Sequence, residues 1–396
     1  MFSYGKIYLG DRMSAKFTIQ EILSDHWDSF VPSHPNIRPV VCTEVTKVIG
    51  CGDPNNGCAF YLCPDCGAYK FVPFRCHSRF CNTCGTAYQE DRAATISRKL
   101  INCKHRHIVF TIAQELRIYF RKYRNLLHVL FRSAAQVIQD WLYKQNHAEQ
   151  YSAGMVVALH TFGRDLKWNP HIHMLITEGA SGNFTEWKKL NHFPFVMLRK
   201  KWRTTLLANM KEAMPSSELK KFNALVSGLY HLYPEGFYVN APSRKDFNSP
   251  MAVAKYITRY IGRPVMAQSR ITNYDGQEVT YWYQRHEDNK VVFVTEHAHE
   301  FIEKLIIHIP EKGFHMLRYY GLYAMPDKRT ANLIHLVRNR SRSLQRFLRL
   351  WAVRIEIAFH RDPLKCPCGG YMEFESTYVP HSSAHPPPSM LQYAYL

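Results

Sequence analysis

Apolar and polar positions follow two different periods between residues 105 and 243, and these periods predict a series of strands and helices. Short apolar runs rich in β-branched and aromatic residues predict strands. Apolar residues recurring every three to four positions predict a long helix that begins near Gln114 and a second helix over 193–214. The predicted strands are 105–112, 155–162, 171–178 and 236–243.

The predicted elements follow one another in the order βαββαβ. This order is the ferredoxin-like plan, in which both helices cover one face of an antiparallel sheet. We therefore predict an α+β domain of this class, preceded by a cysteine-rich module and followed by a basic helical region. The predicted divisions are an N-terminal helical segment (1–44), a zinc-binding domain (45–100), the ferredoxin-like domain (101–327), the basic helical region (328–376) and a flexible tail (377–396).

Two histidines in the third predicted strand point to the same face of the sheet. Side chains alternate along a strand, so His171 and His173 lie side by side. If Phe162 pairs with His171 across the hairpin, His160 lies opposite His173, and three imidazoles converge on one open face. Glu178 has the opposite parity and is excluded as a ligand unless the strand bulges. Such a cluster predicts a catalytic metal site, although packed histidines would give the same pattern.

A further helix signal follows the fourth predicted strand. Ser249 suits the N-cap, Pro250 suits the first helical position, and a Gly-Arg-Pro sequence ends the pattern near residue 264. Tyr256 and Tyr260 are four residues apart and so share one face of this helix. Packing alone would explain such a tyrosine pair, but the surrounding basic residues also suit DNA contact. These basic residues are Lys255, Arg259 and Arg263.

Seven of the eleven cysteines lie between Cys51 and Cys84. Two Cys-x2-Cys knuckles can complete a Zn²⁺ shell of four sulfurs, which predicts one site. A possible second site is less regular in its spacing. The predicted first set is Cys63, Cys66, Cys81 and Cys84, and the possible second set is Cys51, Cys58, Cys76 and His77. Cys366 and Cys368 are only one residue apart, so no complete zinc site is predicted there.

Charge favours a polyanionic partner. The chain has 51 Lys and Arg residues against 32 Asp and Glu, a formal net charge of +19 spread along its length. Nucleic acid neutralises such charge with release of counterions. There is no run of eighteen apolar residues and no secretory leader pattern, so we expect a cytoplasmic protein, associated with the nucleoid and without a membrane partner.

The ordered motifs carry a family resemblance. His171-Ile172-His173 followed by Tyr256-x3-Tyr260 resembles the HUH two-tyrosine endonucleases. The upstream cysteine module, "LHTFGRDLKWNPHIHMLITEG" and "YITRYIGRPVMAQSRI" extend the likeness. With them the chain closely resembles the rolling-circle transposases of the bacterial insertion-sequence ninety-one group, over roughly residues 45 to 325.

The resemblance implies a metal-dependent DNA strand transferase. It implies that His171 and His173 bind Mg²⁺ or Mn²⁺, and strand pairing adds His160 as a third ligand. It further implies that Tyr256 and Tyr260 form 5′-phosphotyrosine links to single-stranded DNA. The implied partners are hairpin-forming transposon ends, target DNA and the host replication machinery. Which tyrosine acts first, whether one or two zinc ions are bound, and the oligomeric state are left open.

Two alternatives remain open at the level of sequence. A rolling-circle replication initiator or a conjugative relaxase would use the same metal and tyrosine chemistry. A zinc-dependent DNA-binding regulator would have no catalysis, and its histidines and tyrosines would pack in the core without binding metal.

Overall fold

The computed structural model describes residues 8–9, 17–240, 250–258, 264–285, 287–324, 333 and 350–380. The chain divides into two compact units, and neither is continuous in sequence. Unit 1 comprises Met1–Glu90, Arg263–Ile309 and Arg342–Leu396, and unit 2 comprises Asp91–Gly262 and Pro310–Ser341. The sequential domain boundaries given above stay a prediction.

The described elements are strands and helices of both units. The strands are β1 (Tyr8–Leu9), β2 (Cys58–Leu62), β3 (Tyr69–Pro73), β4 (His105–Phe110), β5 (Ser152–Phe162), β6 (Trp168–Ser181), β7 (Lys188–Lys189), β8 (Val239–Asn240), β9 (Ile271–Tyr274), β10 (Glu278–Gln284), β11 (Val291–His297), β12 (Leu317–Gly321) and β13 (Glu373–Tyr378). The helices are α1 (Ile19–Ser33), α2 (Pro39–Ile49), α3 (Asn82–Lys99), α4 (Arg117–Lys122), α5 (Leu127–Gln145), α6 (Phe195–Ala213), α7 (Leu219–Leu232), α8 (Pro250–Thr258), α9 (Ala298–Ile306) and α10 (Trp351–Phe359).

Unit 2 is built on an antiparallel sheet in the order β12-β5-β6-β4-β8, with β7 paired to β6. The predicted strands over 105–112, 155–162 and 171–178 correspond to β4, β5 and β6, and the last two are longer than predicted. The fourth predicted strand is represented by β8, and residues 241–243 lie outside the described residues. The hairpin of β5 and β6 therefore lies inside this sheet, with paired strands on both sides.

Helices α5 and α6 pack on one face of this sheet. The apolar side chains of that face, among them Phe110, Ile172 and Met174, are fully buried beneath them. The single long helix predicted from Gln114 is wrong, because the backbone leaves the α region at Tyr123 (φ −116°, ψ 83°) and a 3₁₀ turn, Arg124–Leu126, precedes α5. The Tyr123 hydroxyl donates to a Glu218 carboxylate oxygen (3.0 Å), which holds this break in place.

The other face of the sheet is covered by α8 and by the end of α3. Val253, Ala254 and Ile257 of α8 are buried against this layer, which also contains Ala158 and Leu175 of the sheet. Apolar residues at such helical spacing form one face, and Tyr256 lies on that same face. The packing of α8 thus directs Tyr256 toward the sheet.

Unit 1 combines two small sheets with helices. One sheet has the order β1-β3-β2-β13, and the other is β11-β10-β9. Helix α1 begins with a capping box, in which the Glu21 N–H donates to Thr18 Oγ1 and the Thr18 N–H donates to the Glu21 carboxylate. Strand β13 pairs antiparallel with β2, so the last described strand of the chain completes a sheet begun near its start.

The architecture is mixed α/β with antiparallel sheets and a cysteine-rich N-terminal region. Most of the predicted basic helical region (328–376) before residue 350 lies outside the described residues, as does the predicted tail beyond residue 380. Within the described ranges, no helix has both the length and the apolar character that a membrane span needs.

Candidate active site and cysteine clusters

The β5–β6 hairpin sets the positions of the three histidines. His160 pairs with His171, and Ala158 pairs with His173. The predicted register, in which Phe162 pairs with His171, is therefore wrong by two residues. Pairing continues to Phe162 and Trp168 through an irregularity after His160, which leaves a loop of only residues 163–167. An even shift keeps every side chain on its face, so the histidines still share one.

The three imidazoles converge. Ligand nitrogens of His160, His171 and His173 all lie within 4.8 Å of one another. His160 Nδ1 and His171 Nε2 are 3.2 Å apart. Two nitrogens that bind one ion at about 2.1 Å and at right angles would be separated by about 3 Å, so this pair is spaced for shared coordination.

Burial favours the neutral forms of His171 and His173. It lowers the pKa of His171 to about 4 and that of His173 well below the usual range, and the neighbouring histidines lower the latter further. The His171 Nδ1–H donates to the Asn169 carbonyl oxygen (2.6 Å), because a carbonyl can only accept. A neutral His171 therefore presents the lone pair of Nε2 toward His160, as a metal ligand must.

A fourth histidine joins this cluster to Tyr256. His107 Nε2 lies 2.9 Å from His173 Nδ1, and His107 Nδ1 lies 3.0 Å from the Tyr256 hydroxyl. Tyr256 is only 8% exposed. Sequence reasoning missed His107, although "HRH" at 105–107 repeats the spacing of "HIH" and β4 lies beside β6.

His105, which is also on β4, forms a second histidine–tyrosine pair, and its hydrogen bonds differ from those of His107 and Tyr256. His105 Nδ1 donates to the Cys103 carbonyl oxygen (2.9 Å), so its Nε2 accepts from the Tyr323 hydroxyl (2.7 Å). The Tyr323 oxygen in turn accepts from the Ile101 N–H (3.2 Å). Every polar atom of this pair has a protein partner, which indicates a structural role.

Glu178 lies on the opposite face of the sheet from the histidines, as its parity predicts. Its carboxylate accepts from Arg106 Nε (2.8 Å), and the pair forms a largely buried ion pair. The same face packs against α5 and α6, so Glu178 has a partner of its own away from the imidazoles.

Arg117, at the start of α4, acts electrostatically on His171. After burial, its positive charge is a further cause of the lowered pKa of His171. Its main-chain oxygen accepts from Trp168 Nε1 (3.1 Å), which ties α4 to β6. In the part of the chain that the structure describes, Arg117 Nε is buried and has no hydrogen-bond acceptor. A buried guanidinium edge of this kind suits a phosphate oxygen.

The remaining predicted DNA-contacting and nucleophilic residues are only partly described. Lys255 lies on α8 and is half-buried. Tyr260, Arg259 and Arg263 lie outside the described residues.

The cysteines form two clusters of four. Cys51, Cys76, Cys81 and Cys84 make the first, in which Cys51 Sγ lies 3.7 Å from both Cys81 Sγ and Cys84 Sγ. Cys84 lies in the first turn of α3. We call this set the first cysteine cluster.

The second cysteine cluster consists of Cys63, Cys66, Cys366 and Cys368. The predicted shell of Cys63, Cys66, Cys81 and Cys84 therefore differs from the grouping in the structure. The cause is the geometry of the β2–β3 hairpin. The turn that holds Cys63 and Cys66 lies at one end of this hairpin. The opposite end, where Cys58 pairs with Pro73, lies close to Cys76. Five strand residues span about 16 Å, too far for one ion.

Two members of the predicted second zinc set belong to neither cluster. Cys58 is buried in β2, which raises the pKa of its thiol, and His77 is exposed. Cys51 and Cys76, by contrast, join the knuckle of Cys81 and Cys84.

Comparison with known proteins matches both units. A family model described as "Putative transposase" matches residues 154–331, and one described as "Transposase zinc-binding domain" matches residues 22–112. The transposase for insertion sequence element IS801 of Pseudomonas savastanoi pv. phaseolicola is 29% identical over 302 residues, 73% of this chain and 71% of that protein. The "Putative transposase y4qJ" of Sinorhizobium fredii is 25% identical over 323 residues, 76% of this chain and 79% of that protein. No solved structure matches the chain.

These matches, with the cysteine clusters, define a transposase that carries an N-terminal zinc-binding domain. The chain belongs to the IS91 family of transposases. DNA is accordingly its partner, and zinc is its structural metal.

Proposed function

We propose that this transposase nicks and rejoins single-stranded DNA through 5′-phosphotyrosine intermediates, with Tyr256 as a nucleophile. The observation that carries the proposal is the hydrogen-bonded connection from Tyr256 through His107 to His173 of the histidine cluster. This connection joins the phenol to a cluster of three convergent imidazoles, of which burial favours the neutral form of His171 and His173.

His160, His171 and His173 are proposed to hold Mg²⁺ or Mn²⁺. The donor set fits an open catalytic site, because three imidazoles leave other coordination positions for phosphate oxygens. Such an ion, when bound, supplies positive charge that polarises the scissile phosphate and stabilises the departing oxygen.

His107 is proposed to position Tyr256 and to stabilise its phenolate. If His173 ligates through Nε2, its Nδ1 carries the proton and donates to His107 Nε2. A neutral His107 must then carry its own proton on Nδ1, where it faces the Tyr256 oxygen. His107 thus donates to the nucleophile, and it is a positioning residue rather than the proton acceptor.

In the proposed reaction the bonds balance without water or ATP. The Tyr256 oxygen loses its proton to solvent or to a phosphate oxygen and attacks phosphorus, and the bond from phosphorus to the 3′ oxygen breaks. The released 3′ oxygen takes up a proton and becomes the 3′-hydroxyl. Attack by a 3′-hydroxyl on the phosphotyrosine reverses these steps and rejoins the strand. Tyr260 is proposed as the second nucleophile, so that two strands can be handled in succession.

The fold and charge support this proposal. The strand order β8-β4-β6-β5 is the one expected of a ferredoxin-like HUH domain, with α5 and α6 on one face and α8 on the other. Arg117 is proposed to bind a phosphate beside the histidines, and Lys255, Arg259 and Arg263 to contact the strand. We further propose that the protein acts on hairpin-forming transposon ends and target DNA, and that it drives rolling-circle transposition aided by host replication. A replication initiator or relaxase would share this chemistry.

A covalent-trapping assay tests the proposal. The purified protein is incubated with labelled single strands tiling both ends of its own element, with Mn²⁺, Mg²⁺ or EDTA, and resolved on a denaturing gel. We expect a metal-dependent protein–DNA adduct. Tight DNA binding with no adduct on any strand would instead favour the zinc-dependent regulator without catalysis.

A further inference from the structure

The second cysteine cluster is formed by two hairpin knuckles with matching backbone geometry. In the first, the Gly67 N–H donates to the Cys63 carbonyl oxygen (2.9 Å), and Gly67 has a φ of 69°. In the second, the Gly369 N–H donates to the Cys366 carbonyl oxygen (2.9 Å), and Gly369 has a φ of 98°. Positive φ at both positions is available to glycine at little cost. Each turn therefore presents its two thiols toward the other.

The second knuckle has one residue fewer between its cysteines, but it keeps the main-chain hydrogen bond that closes the turn. The Cys63 N–H donates to the Ala68 carbonyl oxygen, and the Cys366 N–H donates to that of Gly370, both at 2.9 Å. The Gly370 N–H also donates to Cys368 Sγ (3.5 Å). The shorter spacing thus still orients both sulfurs.

The sulfur positions fit a tetrahedral metal shell. Cys63 Sγ lies 3.6 Å from Cys368 Sγ, and Cys66 Sγ lies 3.6 Å from Cys366 Sγ. Four sulfurs at about 2.3 Å from one Zn²⁺ form a tetrahedron with edges of about 3.8 Å. A disulfide would require about 2.05 Å, and all four thiols are free of disulfide bonds.

Other contacts hold the two knuckles together. Lys70 Nζ, which is buried, donates to the Pro363 carbonyl oxygen (2.6 Å), and β13 pairs with β2 directly after the second knuckle. A Cβ at Gly370 would lie 3.3 Å from Cys63 Sγ, so glycine allows this close approach. Cys63, Cys366 and Met372 share a small buried cluster.

We propose that Cys63, Cys66, Cys366 and Cys368 bind a structural Zn²⁺ that ties the C-terminal segment 363–378 to the N-terminal zinc-binding domain. The match to the zinc-binding domain ends at residue 112, so half of this ligand set comes from outside it. Four thiolates fill every coordination position, so the ion is structural and performs no catalysis. The chain then carries two structural zinc ions, one in each cysteine cluster.

The test counts zinc in the full-length protein. Protein purified by size exclusion and kept reduced is analysed by elemental mass spectrometry for wild type and for the double variant Cys366→Ser/Cys368→Ser. Cys42→Ser is the control, since Cys42 is in unit 1 and belongs to neither cluster. We expect about two zinc ions per chain in wild type and control, and about one in the double variant.

An alkylation footprint of the wild type makes the test independent of how the variant folds. Cys66 and Cys368 are exposed, so a maleimide should modify them readily unless a metal protects them. We expect protection that is lost when a chelator removes the second zinc equivalent. One zinc ion per chain in wild type, unprotected Cys66 and Cys368, or disulfides joining the two knuckles would each overturn the proposal.

Discussion

The histidine cluster of unit 2 comes from one hairpin, whereas each cysteine cluster of unit 1 is assembled from separate turns. His160 and His171 are direct partners across β5 and β6, and His173 follows two residues later. The second cysteine cluster instead joins turns from opposite ends of the chain. Pairing of two consecutive strands thus suffices to assemble the histidine cluster, whereas the second cysteine cluster requires the complete fold of unit 1.

This difference has a physical consequence. The imidazoles are held by main-chain pairing of a buried sheet, so we expect their arrangement to persist without metal. The thiols are held by short turns with a small core, and there the metal itself contributes to folding. Removing metal should therefore abolish the proposed cleavage by unit 2 and lower the free energy of unfolding of unit 1.

The largest expected effect is on chemistry at the histidine cluster. His171→Ala should reduce metal-dependent cleavage by about a thousandfold, equivalent to about 4 kcal/mol, because a ligand of the proposed ion is lost. DNA affinity should change little. Cleavage rates and binding isotherms measure both quantities, with the exposed His192→Ala as the matched control. Cleavage that survives His171→Ala would show that this cluster is not catalytic.

The next effect concerns stability of the zinc-binding domain. Cys81→Ser should remove about one zinc ion per chain and lower the Tm of the protein by about 10 °C, because the first cysteine cluster loses a ligand. Calorimetry with metal analysis tests this, and Cys42→Ser is the control. The histidine cluster should bind Mn²⁺ normally in the variant. An unchanged zinc content would contradict the grouping of Cys51, Cys76, Cys81 and Cys84.

A pair of substitutions at His107 separates its two hydrogen bonds. Asn places an amide where Nδ1 lies and can still donate to Tyr256, while Gln places its amide nearer Nε2 and contacts His173. His107→Gln should therefore slow adduct formation about 30-fold with Mn²⁺ affinity nearly unchanged, as loss of about 2 kcal/mol requires. His107→Asn should chiefly weaken Mn²⁺ binding. Equal losses in both measurements for both variants would indicate a merely structural histidine.

The smallest effect is expected at Arg117. Arg117→Gln should weaken binding of single-stranded DNA about fivefold, since about 1 kcal/mol of phosphate contact is lost, and should reduce its dependence on salt. Arg121→Gln, on the same helix but exposed, is the control. Titrations at several salt concentrations provide the measurement. Equal behaviour of the two variants would remove Arg117 from the proposed site.

Sequence patterns alone predict only those features of the site that depend on local periodicity. Strand parity placed His160, His171 and His173 on one face without knowledge of the fold, and an even register error left that face unchanged. His107 depends on which strand lies beside β6, and the partners of Cys63 and Cys66 depend on pairing of β13 with β2. Such long-range pairing leaves no periodic signal in the chain. The grouping of cysteines by spacing alone failed for the same reason.

The most direct measurement is the identification of the tyrosine that becomes linked to DNA. Trapped adducts are digested, and the nucleotide-bearing peptide is sequenced by mass spectrometry for wild type, Tyr256→Phe and the structural control Tyr323→Phe. We expect modification at Tyr256 in wild type and in Tyr323→Phe, and its loss in Tyr256→Phe. A DNA link at a residue other than Tyr256 or Tyr260, or an adduct unaffected by Tyr256→Phe/Tyr260→Phe, would contradict the proposed nucleophiles.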